Sequence, residues 1–95
     1  PPAMSLINVL VKGRTIDRAM AEAGALVAHL RSHARLKVLG PAPAVMAKIK
    51  DEYRAQFFVK GRDRRAMREA VLAALAAHPE LRKRTTVDVD PVSVV

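Results

Sequence analysis

The 95-residue chain has no cysteine and no tryptophan. A disulfide framework and a thiolate metal site are therefore excluded. Aromatic residues make up only 3% of the chain, two Phe and one Tyr. Its core must accordingly be built from Leu, Val, Ile, Met and closely approaching Ala. With four glycines, neither GxGxxG nor GxxxxGKS/T occurs, so no glycine-rich phosphate loop is present. No apolar run approaches the roughly 20 residues that span a bilayer, and no secretory signal is visible. A cytoplasmic location is compatible with these absences, and no membrane partner is expected. Acidic residues are also scarce. Nine Asp and Glu stand against seventeen Lys and Arg, giving a net charge of +8 and a pI near 10.9. An excess of that size points to a polyanionic partner, most often nucleic acid. An acidic protein tail or an anionic lipid surface fits the same charge.

What is present is organised around Tyr53 to Val71, YRAQFFVKGRDRRAMREAV. It reads as a strand, a tight turn and the start of a helix. Lys60, Arg62, Arg64, Arg65 and Arg68 crowd into nine residues, and Arg62, Arg64 and Arg65 fall in or just before the first helical turn. A helix start already carries the partial positive charge of its unpaired N–H groups and normally prefers Asp or Glu. Arginines gathered there weaken the helix slightly and make a site that attracts phosphate or carboxylate.

In chain order, Pro1 to Ser5 reads as a stiff lead-in and Leu6 to Val11 as a strand. Ile7, Val9 and Val11 share one face, Leu6, Asn8 and Leu10 the other. Both faces are largely apolar, which predicts cover on both sides, or a second cover lost by excision. Thr15 suits an N-cap, with Asp17 in the first turn. Ile16, Met20, Ala23, Val27, Leu30 and Ala34 recur at helical spacing. Gly24 is expected to let this helix lie close on a sheet. Lys37 to Leu39 reads as a short strand stopped by Gly40 and Pro41, and Val45 to Lys50 as a single helical turn. Tyr53 to Lys60 is the third strand. Asp63 is the expected N-cap of a second helix with Met67, Val71, Ala74, Leu75 and His78 on its apolar stripe, ended by Pro79. Arg82, Lys83 and Arg84 lead into a strand over Thr85 to Val89, ended by Pro91.

The order β-α-β-β-α-β with right-handed crossovers predicts an α+β, split β-α-β fold: a four-stranded antiparallel sheet with two helices on one face. Residues 1–95 form one domain. The opening Pro1-Pro2 without an initiator Met reads as a piece of a longer protein.

Few residues are arranged for catalysis. Asp88 and Asp90 would stand on one strand face, about 7 Å apart. They are expected to form ion pairs with Arg54, Arg84 or Lys60 rather than an acid–base pair. His29, His33 and His78 lack metal-ligand spacing, and Ser5, Ser32 and Ser93 lack a His–Asp context. No catalytic and no metal-binding residue is assigned. Phe57 and Phe58 are adjacent on a strand, so one faces the helices. The other is free to dock a partner or stack a base, although an RNP-type aromatic platform is lacking.

VLGPAPA (Val38 to Ala44), YRAQFFVKG (Tyr53 to Gly61) and VDVDP (Val87 to Pro91) occur in that order. Together they resemble the C-terminal domain of primosomal protein N′, the bacterial replication-restart DNA helicases. Pro1-Pro2 is similar to the YPP segment that opens this domain. The resemblance covers nearly the whole chain. It implies a ribosomal S10-like fold and a parent with an N-terminal DNA-binding domain, a winged helix, two ATPase lobes and a zinc-binding region. ATP, magnesium and zinc would belong to that parent; this fragment, lacking a Walker lysine and cysteines, is expected to need no cofactor and to be non-catalytic. The resemblance further implies binding of single-stranded or forked DNA, contact with the helicase lobes, and a share in a pocket for the acidic C-terminal tail of single-stranded DNA-binding protein. The family's arginine at the start of the second helix matches Arg64, and its polar residue one turn later matches Arg68, where the family also has Gln. Part of the pocket wall would come from an ATPase lobe.

The expected DNA- or anion-binding residues are Lys60, Arg62, Arg64, Arg65, Arg68, Arg82, Lys83 and Arg84, with Arg64 and Arg68 also serving the tail. Two alternatives stand beside this. One is a structural module packing on helicase lobes through Leu6, Leu10 and Phe58; the other is an S10-like RNA-binding domain.

Overall fold

The computed structural model describes residues 4–90; the lead-in at Pro1-Pro2 and the strand stop at Pro91 lie outside them. Within them run β1 (Ser5–Gly13), α1 (Ile16–Leu30), β2 (Lys37–Ile49), β3 (Glu52–Gly61), α2 (Arg64–Ala77), a 3-10 helix (Pro79–Arg84) and β4 (Thr85–Val89). The strands form one antiparallel sheet in the order β2-β3-β1-β4. Both helices pack on one face, α1 over β1, β2 and β3, and α2 over β1 and β3. This is the expected β-α-β-β-α-β fold.

Alternation in the two central strands sets the layers. Ile7, Val9 and Val11 of β1 and Ala55, Phe57 and Val59 of β3 are buried toward the helices. Facing them are Ala19, Ala23, Leu26, Val27 and Leu30 of α1 and Met67, Ala70, Val71, Ala74 and Leu75 of α2. Four of these ten helical residues are alanines, and their small side chains let both helices approach the sheet. The face of Leu6, Asn8, Leu10 and Phe58 carries no helix.

Each helix starts where a side chain caps it. Thr15 Oγ1 accepts from the Arg18 N–H at 3.0 Å, and Asp63 Oδ1 from the Ala66 N–H at 3.0 Å. The buried stripe of α1 differs from the sequence reading. Ala19 and Leu26 are buried, Ile16 and Met20 only partly, and Ala34 lies exposed beyond the helix. In so alanine-rich a helix several faces are nearly equally apolar, and the sheet contact decides between them. On α2, Ala70 takes the place expected for His78, which instead ends the helix. Arg82 to Arg84 lead into β4 as the last turn of the 3-10 helix, pinned by buried Leu81.

Gly24 has no close neighbour: a Cβ built there meets nothing within 4 Å. Its expected role in a close approach to the sheet is therefore corrected. Alanine at this mid-helix position should stabilise the domain by about 1 kcal/mol, raising the melting temperature by about 5 °C in a thermal scan.

The largest correction concerns β2. It does not stop at Gly40-Pro41 but continues to Ile49, and Val45 to Lys50 form no helical turn. As an edge strand, β2 pairs only with β3, so prolines need not donate to a second neighbour. The ladder absorbs them through register shifts between Leu39 and Ala42 and between Pro43 and Lys48. Gly40 sits at φ +113, and a Cβ there would come within 3.1 Å of Gln56 O and the Phe57 Cβ. The hairpin closes on Lys50 and Asp51, at φ 50 and 64, as a two-residue turn requires. Its outer arm carries Val45 (96% exposed) and Met46. Among the described residues no helix is long and apolar enough to cross a membrane.

Candidate nucleic-acid and anion interface

The topology sorts the cations into two groups. β1 spans roughly 27 Å from Ser5 to Gly13. Ser5 pairs with Gly61 beside the start of α2, whereas Gly13 pairs with Tyr53 beside the β2–β3 turn. Lys60, Arg62, Arg64, Arg65 and Arg68 are thus brought together at one end. Arg82, Lys83 and Arg84 lie at the other, where β4 begins opposite Val11. The fold thus divides the eight expected cations between the two ends of the sheet.

At the α2 end, the first helical turn contains no acidic residue. Asp90 supplies one from elsewhere. Its φ of +48 turns it off the β4 alternation, so it does not share a face with Asp88. Its N–H donates to Leu6 O at 2.6 Å, and its Oδ1 accepts from the Leu6 N–H at 2.8 Å. Arg64 Nη2 lies 2.6 Å from Asp90 Oδ2, a close ion pair without the alignment of a hydrogen bond. The expected partners Arg54, Arg84 and Lys60 are therefore not the ones Asp90 meets. Asp88 stays exposed, opposite Asn8. Arg64 is anchored but not buried, with 61% of its side chain exposed. Arg65 and Glu69 approach to 3.7 Å, both largely in water, where such a pair contributes little. No carboxylate among the described residues lies within ion-pair distance of Lys60, Arg62 or Arg68.

Two hollows adjoin this end. Arg68 borders a groove of about 200 Å³ whose other walls are Val71, Leu72, Val87 and Val89. A larger cleft of about 410 Å³ lies between Met4, Arg35, Leu36, Arg62, Asp63 and Ala66. Arg35 escaped the sequence reading because it sits in the α1–β2 loop, 27 positions before Arg62; only the sheet pairing brings the two together.

At the opposite end Arg84 is engaged inside the fold. Nη1 donates to Lys12 O at 2.8 Å, and Nη2 to Glu22 Oε2 at 2.9 Å. Nη1 also meets the second carboxylate oxygen. This bidentate hydrogen bonding holds the Glu22 carboxyl below the usual carboxylate range, against the opposing effect of its partial burial. Glu22 in turn raises the Arg84 pKa. Arg82 and Lys83 are exposed. Lys12, Arg14 and Arg18, none of them expected from sequence, line a cleft of about 500 Å³ here with Asp51, Glu52 and Arg84. Lys12 and Arg14 flank Gly13 at the β1–α1 turn, but only the folded sheet faces them toward the hairpin acids.

Comparison with solved structures shows the fold. The chain is similar to the de novo designed protein Foldit4, with a TM-score of 0.67 at 12% identity, over 98% of this chain and 100% of that one. It is also similar to part of a hydantoinase/carbamoylase family amidase from Burkholderia ambifaria. There the TM-score is 0.51 at 15% identity, over 95% of this chain and 27% of the amidase. No curated protein matches. The family model described as the primosomal protein N C-terminal domain, by contrast, matches residues 1–92. With the β-α-β-β-α-β sheet and nearly the whole chain accounted for, this protein belongs to the primosomal protein N C-terminal domain family, whose setting is replication restart.

Proposed function

We propose that this domain is a non-catalytic holder of polyanions at stalled replication forks. It binds single-stranded or forked DNA through phosphate, and it docks an acidic, carboxylate-terminated protein tail such as that of single-stranded DNA-binding protein. The observation that carries the reading is the start of α2. Arg62, Arg64, Arg65 and Arg68 gather there with no acidic residue in the first turn, beside an apolar groove. Phosphate contact needs exposed cations and donors, which Arg62, Arg65 and Arg68 provide, with half-buried Lys60 beside them. A tail ending in an aromatic residue needs a cation for its carboxylate and an apolar wall for its ring. Arg68 supplies the first, and Val71, Leu72, Val87 and Val89 the second. Arg64, set by Asp90, stands one turn away. Part of the wall is thus intrinsic to this domain, beyond what a neighbouring ATPase lobe would add.

Fluorescence anisotropy across a salt series tests both halves. Binding to single-stranded DNA should be sequence-independent and weaken linearly in log Kd against log salt. A labelled acidic peptide with a free C-terminal carboxylate should bind the domain, and its C-terminal amide should not. Absence of DNA binding at low salt overturns the first half; equal binding of acid and amide peptides overturns the second.

A further inference from the structure

We propose that the open face of the sheet, remote from the helices, is a platform on which a base of single-stranded nucleic acid stacks over Phe58. This rests on the DNA reading above but assigns the bases a surface that the phosphate cluster does not supply. Cross-strand pairing lines up Leu39, Phe58, Asn8 and Asp88 across the middle of that face. Phe57, on the opposite face, is buried in the core. Phe58 is half-buried and joins Leu6, Leu39 and Lys60 in lining a shallow hollow of about 330 Å³. Leu39 is 42% exposed at its edge. An aromatic ring in a shallow apolar seat is what a base needs, since every base presents a π-face.

Two further features favour a nucleic acid over a protein as the occupant. First, Asn8 Oδ1, directly beside Phe58 in the ladder, is buried and has no donor. That oxygen is closed to solvent in the unbound domain, so a turn of the Asn8 amide must accompany binding for the exocyclic amine of a base stacked on Phe58 to meet it. Second, the same face carries Lys12 and Arg54 toward one end and Lys60 and Lys37 toward the other, with Arg54 braced by its Nε–H donating to Met46 O. Arg54 and Lys60 are six residues apart on β3, roughly 20 Å, so cations stand at both ends of a strand laid along the platform. Protein interfaces are depleted of lysine at their centres, and here Asn8, Gln56, Thr86 and Asp88 interrupt the apolar patch.

The test compares a base-bearing oligonucleotide of twelve nucleotides (about one OB-type site) with an abasic strand of equal length and charge. The unmodified domain should bind the base-bearing strand roughly tenfold more tightly. Phe58→Leu keeps the apolar bulk and removes the ring. It should lose about that factor for the base-bearing strand and leave abasic binding unchanged. Because the chain has no tryptophan, F58W adds a single reporter. Its fluorescence should be quenched by the base-bearing strand and not by the abasic one, which keeps the inference testable if Phe58→Leu folds poorly. Equal binding of both strands, or an F58W signal indifferent to bases at saturation, overturns the platform while leaving phosphate binding intact. Failure of the unmodified domain to bind either strand at low salt overturns both readings. A partner protein whose binding is weakened by Phe58→Leu while DNA binding is unchanged identifies docking as the use of this face and overturns the platform.

Discussion

Replacing Arg84 with alanine should lower the melting temperature by about 10 °C, a loss of about 2 kcal/mol. Arg84 ends the 3-10 helix and ties three segments together: its own, β1 through Lys12 O, and α1 through both oxygens of Glu22. Removal leaves the Glu22 carboxylate, only 18% exposed, with Arg18 at 3.7 Å as its remaining cation. A partly buried carboxylate stripped of its bidentate partner is costly where a surface pair would not be. The pH dependence carries a matching sign. Arg84 lowers the Glu22 pKa in the folded state. Stability from the pair is therefore present above the unfolded-state titration of Glu22 and is lost as pH falls through the depressed folded value. In the R84A variant that pKa moves upward, toward or above its unfolded value, so Glu22 no longer contributes to the acid limb and the melting-temperature deficit of R84A should narrow as pH falls. A melting temperature unchanged by R84A at neutral pH would show that the bridge is dispensable.

The same residue shows why sequence pattern reached the fold more completely than the site. Alternation in Leu6 to Val11 and Tyr53 to Lys60, with Thr15 and Asp63 as caps, contained the two central strands and both helix starts. Each of those signals is local, set by neighbours a few residues apart. Arg84 looked like one more cation in a basic run, because nothing near it in sequence names Glu22, 62 positions away, as its partner. Asp90 was misplaced for a related reason. Alternation along β4 puts it beside Asp88, and only its positive φ turns it toward Leu6 and Arg64. The prolines of β2 misled in the other direction. A proline argues against a strand paired on both sides, but the edge position that makes Pro41 and Pro43 tolerable depends on sheet order, a property of the whole chain. The crowding of arginines at the start of α2 was legible; that Arg35 joins them and Arg82 to Arg84 do not depends on which strand ends meet.

Reversing charge at Arg62 and Arg68 together should weaken single-stranded DNA binding about 100-fold at low salt. That figure follows from losing two charge-assisted contacts of about 1.5 kcal/mol each. The salt dependence should become shallower by about 1.4 in log–log slope. These two positions are chosen over Arg64 because no described carboxylate pairs with them, so reversal breaks no internal bridge. Acidic residues near a helix start are also favourable to the helix itself. Melting temperature should therefore hold or rise while affinity falls, which separates loss of contact from loss of fold. The matched double reversal at Arg82 and Lys83 probes the far end of the sheet, roughly 27 Å away. A comparable loss there, for strands long enough to span the domain and not for shorter ones, means that one DNA strand engages both ends, crossing the open face between them. A loss confined to Arg62 and Arg68 makes the start of α2 the sole phosphate site. Unchanged affinity in both variants would mean that a cluster of cations lacking acidic counterparts in its own helical turn is nevertheless not what holds the polyanion, and the case built on α2 would fail at its root.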